Sequence, residues 1–182
     1  MLSLIKYPPR LNLARIPTPL QLLSRASDKW CAGKRLWMKR DDLTGSALTG
    51  NKIRKLEFIA AHALERGFKT LVTCGGVQSN HCRATALVAA QLGLDCHLVL
   101  RADDGPEQNT GNFMLDQLAG ATFEILSAKE WTSQLKAICT RLQSELAEAG
   151  RPALMIPTGG SDSLGVWGYI AATEELRGDL NE

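Results

Sequence analysis

Two periodicities alternate along the chain from residue 51 onward. Ile53, Leu56, Ala60, Ala63 and Leu64 recur at helical intervals and predict a helix that Gly67 stops. "TLVTC" (70–74) has the unbroken apolar character of a buried strand and runs into the turn "GGVQSN". Ala84, Leu87, Val88 and Leu92 predict the next helix, ended by Gly93, and "CHLVL" (96–100) a second strand. Residues 70–100 therefore form one strand–helix–strand unit. After the turn-rich stretch "RADDGPEQNTG", a short helix over 112–119 leads through Gly120 to the strand "ATFEIL". Trp131, Leu135, Ile138, Leu142 and Leu146 then mark a long amphipathic helix that Gly150 closes. The strand "ALMIP" (153–157) enters a second glycine turn, "TGGSDSLG", and a last helix starts near Leu164. Ahead of all this, "RLWMK" (35–39) predicts a strand running into "RDDLTGS". Strands alternating with helices predict an α/β protein with a largely parallel sheet. Such sheets place ligands at the carboxyl ends of their strands, where both glycine turns fall.

Composition narrows the class. The 182 residues suffice for one medium domain or two small ones, and 45% apolar with 22% charged residues is ordinary for a globular protein. A net charge of +2 and 5% aromatic residues offer no basic stripe with interleaved rings, so a nucleic-acid partner is not expected. No apolar run approaches the ~20 residues of a membrane span. Pro8, Pro9, Pro17 and Pro19 interrupt the segment where a secretory signal would need a continuous apolar core, so the expected location is cytoplasmic. Cys31, Cys74, Cys82, Cys96 and Cys139 are scattered and without a Cys-x-x-Cys pair, as are His62, His81 and His97, so neither a disulfide framework nor a metal site is expected.

Four stretches could carry chemistry. In "CGGVQSN", Gly75 and Gly76 allow close approach of the backbone to a ligand, and the helix start beyond offers N–H groups to an anion. Ser79 or Asn80 could equally serve as a helix cap. "TGGSDSLG" poses the same choice, with Ser161 or Asp162 as the cap. In "RDD" (40–42) adjacent carboxylates on an extended segment point apart, so ion pairing within a turn is expected rather than acid–base work. "TGNKIRKLEF" (49–58) sets Lys52, Arg54 and Lys55 at a helix start, where the dipole disfavours cations. Either these are solvated charges, or neighbouring cations keep a lysine amine neutral and available for a Schiff base, with the remaining charge attracting phosphate.

"KRDDLTGSALTGNKIRKLEF", "CGGVQSNHCRATALVAAQLGL" and "IPTGGSDSLGVWGYIAATEEL", in this order and spacing, shift that balance. From about Pro17 to Glu175 the chain resembles the D-cysteine desulfhydrase and 1-aminocyclopropane-1-carboxylate (ACC) deaminase family. These are pyridoxal-phosphate enzymes of the tryptophan-synthase-β-like fold (fold type II), a three-layer αβα architecture around a parallel sheet. The resemblance implies that Lys52 is the Schiff-base lysine and moves protons once substrate displaces it. It further implies that Asn51 orients the site, Lys55 faces the cofactor phosphate, and Asn80 hydrogen-bonds the cofactor's 3′-oxygen. Ser79 would hold the substrate carboxylate and, as a second catalytic residue, assist proton transfer, with Gln78 and His81 lining the substrate pocket. The cofactor supplies the electron sink; the protein supplies orientation and charge.

The implied reaction converts D-cysteine to pyruvate, ammonia and hydrogen sulfide, with ACC ring opening and L-cysteate sulfo-lysis as alternatives. The implied partners are a small amino acid and, at full length, a second copy in a homodimer. The chain departs from the family pattern in two ways. Thr49-Gly50 stands where Gly-Gly is frequent, and the family's phosphate loop, its pyridine-nitrogen partner and a discriminating tyrosine fall beyond residue 182. The sequence is thus expected to be an N-terminal half: a first segment of the large domain (1–50), the small domain (51–157) and a return to the large one (158–182). On this expectation the 182 residues alone are inactive. An inactive fragment or small-molecule-binding remnant is the non-enzyme alternative.

Overall fold

The computed structural model describes residues 6–102 and 110–180; most of the turn-rich stretch near 101–111 lies outside them. Its elements are β1 (Leu20–Leu22), α1 (Ser24–Trp30), β2 (Trp37–Lys39), α2 (Lys52–Glu65), β3 (Thr70–Gly76) and α3 (Asn80–Leu92). They continue with β4 (Asp95–Arg101), α4 (Gly111–Leu118), β5 (Thr122–Leu126), α5 (Ala128–Glu148), β6 (Ala153–Met155) and α6 (Val166–Asp179). Short 3₁₀ turns occupy Asp41–Leu43 and Thr158–Gly160.

The four strands β5-β4-β3-β6, in that spatial order, pair in parallel throughout. Both faces of this sheet are covered, which explains the continuous apolar runs of β3 and β4. Leu71, Leu98 and Leu100 point to one face, against Ile59 of α2, Cys82 and Ala86 of α3 and Phe113 of α4. Val72 and Val99 point to the other, against Ile138 and Leu142 of α5, with Trp131 and Leu135 alongside. The three layers expected from the sequence are therefore present. Helix α5 begins with a capping box between Ser127 and Glu130. Gly93, at φ 68°, ends α3 in the left-handed conformation its missing Cβ permits.

On the outer side of α2, Ile53, Leu56 and Ala60 meet Ala84 and Val88 of α3 together with Leu11 and Leu13 of the N-terminal segment. Helix α6 crosses α2 at Gly168, where any Cβ would overlap the Arg54 carbonyl. Only glycine allows that backbone approach.

Several local expectations shift. Leu64, expected on the buried stripe of α2, is 41% exposed. The strand at 153–157 is only Ala153–Met155, and α6 starts at Val166 rather than at Leu164. β1 and α1 had no sequence counterpart. Three residues are too few to display an alternation, and β1 exists because it pairs antiparallel with β2. No helix among the described residues is long and apolar enough to cross a membrane.

Candidate active site

β4 and β6 pair with opposite edges of β3, and parallel sheets of this kind take ligands in the crevice beyond the carboxyl ends of their strands, here those of β3 and β6. Both glycine turns lie there. The turns are tied beneath by Thr73, whose hydroxyl donates to the Ile156 carbonyl at 2.9 Å, and by Cys74 Sγ, 3.1 Å from Thr158 Oγ1.

The first turn folds tightly onto α3. A Cβ on Gly75 would lie 2.8 Å from Ser79 Oγ and 2.9 Å from Cys82 Sγ, so only glycine fits there. Ser79 is the N-cap, its Oγ accepting the N–H groups of His81 and Cys82 at 3.2 Å each. The capping role considered from sequence is thus real, and its hydroxyl proton is not part of that cap. Gln78 and Asn80 are exposed at the same helix start. Gln78 Oε1 accepts the Asn112 N–H at 2.9 Å, and Asn80 Oδ1 accepts from Asn112 Nδ2 at 3.0 Å.

At the start of α2 the three cations part company. Arg54 is wholly buried and leaves the site: its guanidinium donates to Asp41 at 2.8 and 2.9 Å and to Glu175 at 2.8 Å. The expected divergence within "RDD" is present, since Asp42 instead pairs with Arg40 at 2.7 Å. Lys55 turns toward the second glycine turn, donating to the Gly159 carbonyl at 3.1 Å and Ser161 Oγ at 2.9 Å. Burial and then the nearby Lys52 charge lower its pKa, with Asp162 opposing. Burial is the larger cause, and the Lys52 contribution is the repulsion between like charges one helical turn apart. Lys52 is half-buried, with its Cε 4.0 Å from where a Cβ on Gly159 would sit. No hydrogen bond or ion pair engages its amine among the described residues.

His81 lies below the crevice rather than on its open face. It is 2% exposed, with Nε2 2.9 Å from Thr73 Oγ1. Because the Thr73 proton goes to Ile156, Nε2 is the protonated nitrogen, and Nδ1 is left as a buried acceptor without a partner. Burial, then Lys52 and Lys55, push the imidazole down to about 4, so it is neutral near pH 7. Asp162, weighed from sequence as a cap, closes the turn before α6 by accepting the N–H groups of Leu164 at 3.1 Å and Gly165 at 2.7 Å.

Sequence reasoning assigned no role to Tyr169 and Asn112, and gave Ser161 only a possible role as a helix cap. Tyr169 accepts a 2.6 Å hydrogen bond from Asn51 Nδ2, and its ring centroid is 5.6 Å from the Lys55 ammonium. Ser161 binds Lys55, and Asn112 binds both Gln78 and Asn80. None had a local signal, since each partner is far away in the chain.

The pyridoxal-phosphate dependent enzyme family matches residues 11–182, nearly the whole chain. This chain belongs to that family. It is 46% identical over 173 residues to a D-cysteine desulfhydrase of Serratia proteamaculans, covering 92% of this chain and 51% of that protein. It is 42% identical over 181 residues to the mitochondrial bifunctional D-cysteine desulfhydrase/1-aminocyclopropane-1-carboxylate deaminase of Arabidopsis thaliana, covering 93% of this chain and 43% of that one. The crystal structure of an ACC deaminase homologue superposes with a TM-score of 0.83 at 39% identity, over 93% of this chain and 50% of that chain. A pyridoxal 5′-phosphate-dependent aspartate racemase, at 22% identity and TM-score 0.65, shares the fold. The chain spans about half the length of the curated relatives it matches.

The residues gathered at the crevice fit the family's cofactor. An aldehyde requires an uncommitted amine, which Lys52 offers. A phosphate is favoured by cations, and Lys55 supplies one that keeps an N–H beyond those given to Gly159 and Ser161. The orphaned His81 Nδ1 is a further buried polar atom beside them.

Proposed function

We propose that this chain carries the cofactor- and substrate-binding face of a pyridoxal-phosphate dependent lyase acting on a small amino acid, with D-cysteine the substrate. Pyruvate, ammonia and hydrogen sulfide are the products. The observation that carries the proposal is the crevice between β3 and β6, where the uncommitted Lys52 amine and the Lys55 cation lie beside the Ser79–Asn80 helix start. The names of the Serratia and Arabidopsis relatives support the substrate class.

When bound, the cofactor supplies the electron sink that makes a proton at the substrate Cα removable. The chain's own groups do the rest. Lys52 Nζ would hold the cofactor at its aldehyde carbon, and the same amine would move the Cα proton. Lys55, with two of its three protons on Gly159 and Ser161, offers the third to the phosphate. Asn80 donates to the cofactor's 3′-oxygen. Ser79 holds the substrate carboxylate with Gln78 beside it, and neutral His81 supports the pocket from below. Asn51 orients the Lys52 turn through Tyr169.

The division into a large-domain segment (1–50), a small domain (51–157) and a returning segment (158–182) belongs to the same proposal. It is supported by Lys39, which binds Glu175 at 2.7 Å and Asp179 at 2.5 Å and so joins the first segment to the last. Cytoplasmic residence and a homodimer complete the reading.

ACC deamination is the second reading, favoured by the double name of the Arabidopsis relative and by the superposed ACC deaminase homologue. The test has two arms. Full-length protein containing this chain is assayed with D-cysteine, ACC and L-cysteate for ammonia, pyruvate and sulfide; ammonia and sulfide from D-cysteine support the first reading, and silence on all three refutes both. Borohydride reduction in the presence of pyridoxal phosphate, followed by peptide mapping, should place the pyridoxyl group on Lys52. Label on Lys55 instead means the wrong lysine of the pair has been chosen.

A further inference from the structure

An asparagine amide presents an acceptor at one end and two donors at the other, and which end faces a site decides what it can bind. At Asn80 that choice is made by a short chain of hydrogen bonds anchored on a backbone carbonyl. Asn112 Nδ2 donates to the Gln78 carbonyl at 2.7 Å. A backbone carbonyl only accepts, so the Asn112 atom facing it is a nitrogen. The same nitrogen lies 3.0 Å from Asn80, so the Asn80 atom that meets it is the oxygen, Oδ1. The Nδ2 group is therefore the end of Asn80 left unpartnered among the described residues, at an exposed position on the first turn of α3.

Asn112 is itself held. Its backbone N–H donates to Gln78 Oε1 at 2.9 Å, and Gln78 Nε2 donates to the Thr110 carbonyl at 3.2 Å. The first turn of α4 is thus laced to the turn after β3 by four hydrogen bonds among Gln78, Asn80, Thr110 and Asn112. The contact is close. A Cβ on Gly111 would approach Gln78 Oε1 to 2.5 Å. Without Asn112, the Asn80 amide could turn and set its carbonyl oxygen toward an anionic ligand oxygen, exchanging attraction for repulsion.

We infer that Asn112 is a positioning residue, which locks the Asn80 amide with its two N–H donors presented to an ionised oxygen of the cofactor held at Lys52. This rests on the proposal above that Asn80 contacts the cofactor. It adds a residue on a different helix, 32 positions away in the chain, that acts only through Asn80.

The test is a double-mutant cycle read as cofactor affinity, by titrating pyridoxal phosphate into the purified protein and following absorbance. Asn112→Ala should weaken affinity about three- to tenfold, the range for one uncharged hydrogen bond. The isosteric Asn112→Asp keeps the volume but removes the donors, drawing the Asn80 N–H groups toward itself; it should weaken affinity at least as much. In an Asn80→Ala background, adding Asn112→Ala should cost less than twofold, because the amide it positions is gone. Thermal melts of the cofactor-free variants check folding, and Asn112→Asp serves if Asn112→Ala is poorly folded. Wild-type affinity in either single Asn112 variant overturns the inference. So does a loss that persists undiminished when Asn80 is alanine, which would make Asn112 a support of the turn and nothing more. Unchanged affinity in Asn80→Ala alone is a different failure: it removes the proposed role of Asn80, and the role of Asn112 falls with it.

Discussion

Replacing Arg54 with methionine should be among the most damaging single changes available. The methionine keeps much of the apolar stem but deletes a guanidinium that is wholly buried and bonded to Asp41, Glu175 and Thr18 Oγ1, the last at 3.0 Å. The abandoned carboxylates are 18% and 12% exposed as side chains, too little for water to replace what is lost. Removing one member of a buried ion pair costs roughly 3–5 kcal/mol, and because Lys39 stays on Glu175 the lower end is expected. Titration leads to a similar size. Burial alone would raise Glu175, but hydrogen bonds from Arg54, Lys39 and the Thr18 N–H hold it down at about 2, against an ordinary 4.5. At about 1.4 kcal/mol per pH unit the three donors together are worth roughly 3 kcal/mol, which bounds the share of Arg54 in this carboxylate from above. A depressed carboxylate stabilises the fold above its ordinary pKa and loses that contribution as pH falls through the folded value. The penalty of Arg54→Met should therefore be near 3 kcal/mol at pH 7 and shrink as pH drops from about 4.5 to 2. Urea unfolding of both proteins across this range measures it. A variant that unfolds at the parent's midpoint at pH 7, or whose penalty is the same at pH 3, refutes the reasoning.

Two further changes probe the packing around the site. Gly168→Ala should force α6 off α2 at the Arg54 carbonyl and cost about 1–3 kcal/mol, seen as a lowered Tm; an unchanged Tm would show the crossing can relax freely. Asp116 is fully buried with both carboxylate oxygens unpartnered, and burial pushes it up to about 7 although the Arg83 charge opposes this. A raised carboxylate holds its proton longer in the folded state, so stability falls as pH climbs from about 4 to 7. Asp116→Asn should thus match the parent near pH 4 and exceed it by roughly 2–4 kcal/mol at pH 8, whereas parallel pH profiles would show that Asp116 is better solvated than its burial indicates.

Apart from β1 and α1, the sequence by itself determined the element types, because their signal is local. The 3.6-residue stripe of α5, the unbroken apolar runs of β3 and β4 and the glycines after α2, α3 and α5 each lie within a few residues of what they specify. It also carried the family, since the Lys52 and Ser79–Asn80 blocks are contiguous in the chain. What it could not determine is which side chains meet across the fold. Lys52, Arg54 and Lys55 read as one cationic cluster, yet packing of α6 on α2 brings Glu175, 121 positions away, against Arg54 and takes that charge out of the site. His81 reads as a pocket residue beside Asn80, but one step along α3 turns its side chain beneath the crevice, where burial keeps it neutral. Asn112 and Tyr169 acquire their partners only once α4 lies against α3 and α6 against α2. Propensity and periodicity are properties of short segments, whereas a buried charge or a locked amide depends on distant segments that tertiary packing alone brings together.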